Sequence, residues 1–364
     1  MELNDNVKPC VNINGRVISA KTRPYLIAEM SANHNGSIEG AMSIIRSAKA
    51  AGADAIKIQS YTPDTITMNC SSSDFQIKEG LWAGKTLYEL YQEAHLPFEW
   101  HQPLFEYARE IGISIFSTPF DKSAVDLLES LDAPAYKIAS FEAVDIPLIR
   151  HVASTGKPLI ISTGMATFEE IEEAVAAARD AGCDELILLK CVSAYPAQPH
   201  DYNLNNLLTL RNNFNTLVGL SDHTLTSTTA IASVALGACV IEKHFTLNRA
   251  GGGPDDSFSI EPVELQQLRQ ACDEAHEALG DASINIRASE TPNKQFRRSL
   301  YYCRNIYAGE VLTEDAIKSV RPGYGLPPKN FDDIIGKIVS KDIVKHTPIT
   351  WDDFVPSQID LSRT

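Results

Sequence analysis

Short apolar runs alternate with longer amphipathic stretches along most of the chain. Tyr25-Leu26-Ile27-Ala28, Ala55-Ile56-Lys57-Ile58-Gln59, Ile113 to Phe116, Ala135 to Ala139, Leu159-Ile160-Ile161, Leu186 to Cys191, Leu217 to Leu220 and Cys239-Val240-Ile241 each have the length of a buried parallel strand. Polar residues stop each run abruptly. Helical patterns lie between them: Ile38 to Ala51, Phe98 to Ile111, Ser123 to Leu131, Ile146 to Ser154, a run to Ala181 opened by a Thr167/Glu170 capping box, Ala230 to Leu236, and Pro262 to Leu279. Eight strands alternating with helical patterns predict an α/β chain folded as a (β/α)8 TIM barrel. The alternative is a doubly wound open sheet, which normally carries a Gly-rich first turn. Glu29 to Gly36 contains no G-x-G-x-x-G.

Three segments depart from this rhythm. Within residues 1–23, Val11, Ile13, Val17 and Ile18 alternate and predict a small hairpin plugging one end of the main domain. Residues 60–98 are a long excursion between the second strand and its helix, the usual form of a lid or specificity loop. After residue 283 the pattern changes to a polar linker, 284–295, and then to short turn-rich segments over 296–364. The chain therefore divides into a barrel domain, 1–283, and a small C-terminal α+β domain. A unit of that size is marginal alone and is expected to dock on something.

Composition narrows the function. The chain has 364 residues, 22% of them charged, and a formal net charge of −15. That balance argues against a general nucleic-acid binder. It also means that an anionic substrate needs a locally positive pocket. Seven cysteines are scattered without a C-x-x-C pair, which fits reduced thiols in the cytoplasm. Cys191 and Cys239 fall inside strands and read as small buried hydrophobes. The first residues lack a charged-then-apolar signal pattern, and no apolar run reaches membrane-spanning length.

The strand ends carry the chemistry, because barrel enzymes work at that face. Two equivalent strands end in Ser221-Asp222-His223 and Glu242-Lys243-His244. Two imidazoles there can hold a borderline divalent ion and leave positions open for substrate. Lys57 and Lys137 stand at strand ends beside Thr118, Ser140, Ser162, Ser193 and Ser221, and together read as a phosphate-sized anion site. Glu29, Glu142 and Glu242 add carboxylates, with Glu242 alternatively a partner of its neighbour Lys243. Gln59 and Tyr195 complete the set. Gly251-Gly252-Gly253-Pro254-Asp255 reads on its own as a mobile loop. The combination points to metal-assisted carbonyl chemistry on a phosphorylated metabolite.

These residues also carry a resemblance. AEMSANHNG (28–36), IKIQSYTPDT (56–65), FSTPFD (116–121), YKIASFE (136–142), STGMA (162–166), GLSDHT (219–224) and IEKHFTLNR (241–249) resemble the nonulosonic acid synthases, the sialic-acid-synthase-like family. RPGYG (321–325) resembles that family's antifreeze-like (SAF) domain. The stretch 81–101 is most similar to the pseudaminic acid synthase branch, with sialic and legionaminic acid synthases as near alternatives.

The resemblance implies condensation of phosphoenolpyruvate with the open-chain aldehyde of an amino sugar. It implies a divalent metal on His223 and His244, Mn²⁺ in the family with Mg²⁺ or Co²⁺ as options. Lys57, Thr118, Lys137, Ser140, Ser162 and Ser221 would bind phosphoenolpyruvate. Ser193 stands where sialic acid synthases have Asn, so its phosphate role does not carry over directly. Glu29 would position or deprotonate the attacking water. Gln59, Tyr195 and Asp255 would face the sugar, and Glu142 and Glu242 would hold lysine or water in place. Arg321 would reach the sugar from the partner subunit of a domain-swapped homodimer. Two readings from other classes stand beside this one: a metal-dependent barrel hydrolase, and a non-enzymatic binding protein working through its C-terminal unit.

Overall fold

The structure, a computed structural model, describes residues 10–356. It separates into two compact units, the first ending at Asp281 and the second starting at Ala282.

The first unit is built on eight parallel strands: β3 (Tyr25–Glu29), β4 (Ala55–Ser60), β5 (Ser114–Pro119), β6 (Tyr136–Ile138), β7 (Leu159–Ser162), β8 (Leu186–Cys191), β9 (Leu217–Asp222) and β10 (Val240–His244). They pair in sequence order, and β10 closes against β3, so the sheet is a barrel and not an open doubly wound sheet. Eight separate apolar runs, each buried on both faces, require this arrangement. Every strand is covered outside by helices and inside by the others.

Alternation along each strand divides the interior into two cores. Leu26, Ala28, Ile56, Ile58, Ile138, Leu188, Val218, Leu220 and Ile241 point outward and pack under the helices. Tyr25, Ile27, Ala55, Phe116, Ala135, Ile160, Ile187, Leu189, Leu217 and Val240 point inward and fill the lower barrel. Val11, Ile13 and Ile18 join the inner core. They belong to the hairpin of β1 (Val11–Ile13) and β2 (Arg16–Ile18). The Asn12 N–H donates to Glu185 at 2.7 Å, just before β8, and the Asn14 amide donates to Ser114 at the start of β5 at 3.4 Å. The hairpin thus plugs the amino-terminal end of the barrel, and the upper half is left for polar side chains.

The helices start and stop on local chemistry. Thr167 and Glu170 form a reciprocal capping box at the helix Phe168–Asp180. The last barrel helix, Pro262–Leu279, is tied to the strand layer through Arg269. Its guanidinium donates to Pro24 O at 2.8 Å and pairs with Asp54 at 3.2 Å. The excursion after β4 folds into two short helices, Pro63–Ile66 and Leu87–Ala94, with Gln76 bridged to Thr86 between them.

In the second unit, much of the expected linker is occupied by 3-10 turns over Ala288–Phe296. Beyond it, β11 (Ser299–Tyr302) pairs antiparallel with β12 (Ile317–Val320). Their apolar faces close a small core of Leu300, Tyr302, Ile306, Leu312, Ile334, Val339 and Ile349.

Candidate active site

The upper barrel opens into a cavity of about 570 Å³. The same parity that puts Ala55 and Val240 into the lower core brings Lys57, Gln59, Glu242 and His244 to this cavity on β4 and β10. β3 contributes Glu29, β6 Lys137, β7 Ser162, β8 Cys191 and β9 Ser221, with His223 just beyond its end. Ser140, Glu142, Tyr195 and Asp255 enter from the loops above.

Four charged groups form the floor. Lys57 Nζ lies 2.8 Å from Glu29 Oε2, donates to Thr118 Oγ1 at 3.1 Å and stands 3.8 Å from Glu242 Oε2. Lys137 Nζ is 3.7 Å from the other Glu242 oxygen, which also accepts from the Ser221 hydroxyl at 3.0 Å. Burial alone would lower the pKa of Lys57, but Glu242 and Glu29 together hold it above the ordinary lysine value. Lys137 is less well compensated, so burial wins and its pKa falls. Burial raises Glu29 against the pull of Lys57. Glu242 goes the other way, because Lys137 and Lys57 outweigh its burial. The alternative of a Glu242–Lys243 pair is not what forms. Successive strand residues face opposite ways, and Lys243 points outward to Asp222 at 2.8 Å.

The two histidines meet at one side, ring centroids 5.3 Å apart. His223 Nδ1 donates to Val192 O at 2.8 Å, which fixes the tautomer and leaves the Nε2 lone pair to the cavity. Burial pushes the His223 pKa down to about 4 and places His244 well below the usual imidazole range. Both are therefore neutral at pH 7, the state in which imidazole binds a metal. His244 Nδ1 is buried without a hydrogen-bond partner. Two neutral imidazoles, one of them with an orphaned nitrogen, fit a divalent ion. Among the described residues no group of three or more His, Cys, Asp or Glu side chains is placed to hold a metal ion, so His223 and His244 would be its protein ligands and would leave positions open.

A hydroxyl cluster is built from the loops after β6, β7 and β8. Gly164 N–H donates to Ser140 Oγ at 3.2 Å. A Cβ at Gly164 would come within 2.5 Å of Ser193 Oγ and 2.7 Å of Ser140 Oγ, so glycine is what lets the two hydroxyls gather. The Ser162 and Ser193 hydroxyls are buried without partners. Thr118 and Ser193 do not themselves line the cavity: Thr118 is bonded to Lys57, and Ser193 sits with Ser140 around Gly164.

Gln59 and Asp255 meet beside Glu29 through Ser31. Gln59 Nε2 donates to Glu29 Oε1 and to Ser31 Oγ, both at 3.0 Å, and the Ser31 hydroxyl donates to Asp255. Tyr195 packs on His223 at 4.3 Å between centroids. The loop Gly251 to Asp255 is not a free loop as its glycines implied. Asp256 accepts from Gly253 N–H at 2.8 Å, from Asn35 at 3.1 Å and from Thr246. A Cβ at Gly253 would lie 1.8 Å from Asn35 Oδ1, so this glycine serves close approach. From the excursion after β4, Trp82 reaches the cavity and donates to Pro254 O at 3.1 Å. Every residue lining the cavity belongs to the first unit, and Arg321 is an exposed residue of the second.

Sequence reasoning passed over Ser31, Trp82, Cys191 and Phe258, all of which line the cavity. Strand parity would have found two of them. Ser31 continues the inward phase of Glu29, and Cys191 that of Leu189, so Cys191 is a wall of the site as well as a buried thiol.

Comparison with known proteins identifies the family. The chain is 46% identical over 330 residues to the pseudaminic acid synthase of Campylobacter jejuni subsp. jejuni (strain 81-176), covering 91% of this chain and 96% of that protein. It is 43% identical over 331 residues to the pseudaminic acid synthase of Helicobacter pylori, covering 91% and 97%. Among solved structures, the N-acetylneuraminic acid synthetase of Leptospira borgpetersenii superposes with a TM-score of 0.72 at 30% identity, covering 80% of this chain and 96% of that one. Residues 44–284 match the NeuB family and residues 297–355 the SAF domain. The chain belongs to the NeuB family of nonulosonic acid synthases, its barrel followed by an SAF domain.

Proposed function

We propose that the protein is a pseudaminic acid synthase. It would condense phosphoenolpyruvate with 2,4-diacetamido-2,4,6-trideoxy-altrose and water, releasing pseudaminic acid and phosphate. The observation that carries this reading is the cavity floor: two buried ammonium groups, Lys57 and Lys137, facing the same space as two neutral imidazoles. The two relatives above support the acceptor sugar.

Charge supports a metal. Lys57 and Lys137 are already matched by the Glu29 and Glu242 carboxylates. A phosphoenolpyruvate trianion entering that neutral set needs further positive charge. A divalent ion such as Mn²⁺, held by His223 and His244, would supply it and act as a Lewis acid toward the aldehyde oxygen. The chain's own groups do the rest. Lys57, Lys137 and the Ser140, Ser162 and Ser221 hydroxyls hold the phosphate and carboxylate, while Thr118 steadies Lys57. C3 of phosphoenolpyruvate attacks the aldehyde carbon, and water adds at C2. Glu29, held above the ordinary carboxylate range, takes the proton of that water. Phosphate then leaves by C–O cleavage.

The mouth of the barrel supports a partner subunit. Phe141, Met165, Leu225 and Leu247, on loops after β6, β7, β9 and β10, are exposed. In a domain-swapped homodimer the partner's SAF domain would cover them and deliver Arg321 to the sugar. Seven free cysteines are consistent with the cytoplasm, and no described helix is long and apolar enough to cross a membrane.

The test is phosphate release from phosphoenolpyruvate with Mn²⁺ across acceptors: the altrose-configured sugar, its mannose-configured counterpart, N-acetylmannosamine and its 6-phosphate. Release confined to the altrose-configured sugar is expected. Release only with N-acetylmannosamine or the mannose-configured sugar would refute the pseudaminic assignment and keep the chemistry.

A further inference from the structure

Ser31 holds a backbone conformation that its side chain disfavours. Its φ is 46°, in the left-handed region where a Cβ crowds the following carbonyl and glycine is the ordinary choice. It is also buried, and it lies in the cavity wall two residues past Glu29.

The hydroxyl accounts for a serine at this position. It accepts from Gln59 Nε2 at 3.0 Å and donates to Asp255 Oδ2. The Gln59 amide also donates to Glu29 Oε1 at 3.0 Å. Both protons of that amide are therefore committed, and the reverse orientation would turn its oxygen against the Glu29 carboxylate. What Gln59 offers a ligand is its carbonyl oxygen. What Asp255 offers is a buried carboxylate whose direction is set by the Ser31 hydroxyl together with the neighbouring Ala32 N–H. Gln59 and Asp255 thus present acceptors side by side, and together they recognise a ligand group that presents donors: hydroxyl O–H or amide N–H.

Resting on the function proposed above, we infer that Ser31 is the positioning residue that selects the amino-sugar acceptor. It aligns the Gln59 carbonyl and the Asp255 carboxylate on the sugar's hydroxyl and acetamido donors, and has no part in holding phosphoenolpyruvate.

Ser31→Gly and Ser31→Ala test this together, because both lose the hydroxyl and only glycine relieves the backbone. The assay is steady-state phosphate release by the full-length Mn²⁺ enzyme, with thermal unfolding measured in parallel. Both variants should raise the KM for the acceptor sugar about tenfold, the effect of losing a hydrogen bond to a charged group. The KM for phosphoenolpyruvate should stay within about twofold. Ser31→Gly should unfold no earlier than wild type. An unchanged acceptor KM in Ser31→Gly would overturn the inference, since relief of strain alone would then describe the site. A parallel rise of both KM values with a lower unfolding temperature in Ser31→Gly would overturn it too, as a structural role does that. Wild-type protein releasing no phosphate with any acceptor would overturn the function itself, and this inference with it.

Discussion

Glu142 should make the stability of this barrel fall with pH in a defined window. Its carboxyl lines the cavity, and one of its oxygens is buried without a hydrogen-bond partner. Burial, only partly offset by a backbone hydrogen bond and by Lys137, raises its pKa from 4.5 to about 7. The folded protein therefore keeps a proton that the unfolded chain has released between those two values, so stability drops as pH rises through the window. Below pH 4.5 both states are protonated and nothing is lost; above pH 7 the loss is complete. The gap is worth roughly 3 kcal/mol. Glu142→Gln, a neutral isostere, removes it. In EDTA, urea or thermal unfolding of the two proteins should coincide near pH 4.5. The variant should then gain steadily and lead by roughly 3 kcal/mol at pH 8, or about 5 °C for a domain of this size. Other groups that titrate in the window, His223 among them, are common to both proteins and cancel in the difference. A difference that stays flat from pH 4.5 to pH 8 would refute the claim that burial governs this carboxyl.

Two further outcomes are expected. Lys243→Ala strands Asp222 as a buried unpaired carboxylate on the outer face of β9, and denaturant unfolding should show a loss of about 3–5 kcal/mol; a loss below about 1 kcal/mol would mean that the pair is not held tightly. If the proposed domain-swapped homodimer holds, Lys137→Ala and Arg321→Ala proteins should each be inactive, and mixing them after unfolding and refolding should restore roughly a quarter of wild-type activity, since half the dimers would be mixed and each mixed dimer would rebuild one intact site. Absence of recovery would refute delivery of Arg321 across subunits.

The barrel was legible because both of its signals are local. Eight apolar runs with polar stops fix strands and strand ends, and the twofold alternation of β4 and β10 sorts Lys57, Gln59, Glu242 and His244 to one face. The same alternation decides between the two partners open to Glu242, sending Lys243 outside. What could not be read is pairing across loops. Asp255 depends on Ser31, from a turn more than two hundred residues earlier, and Gly253 is a glycine because of Asn35. A run of glycines signals mobility and close approach alike until the neighbour is known. Thr118 shares the inward phase and still does not line the cavity; its hydroxyl is taken up by the Lys57 ammonium.

The hairpin of β1 and β2 turns the barrel into a cul-de-sac. With Val11, Ile13 and Ile18 packed among the inward side chains of the lower strands, nothing can leave through the floor. Whatever anion Lys57 and Lys137 hold sits at the blind end, and Gln59 stands two residues, roughly 6–7 Å, closer to the exit on the same strand. Molecules must therefore load and unload like items in a stack. On the function proposed above, the deep anion would enter first and the sugar second, and a phosphate formed at the bottom would wait for the product above it to depart. Inhibition patterns would carry that ordering: inorganic phosphate should compete with the first substrate and not with the second.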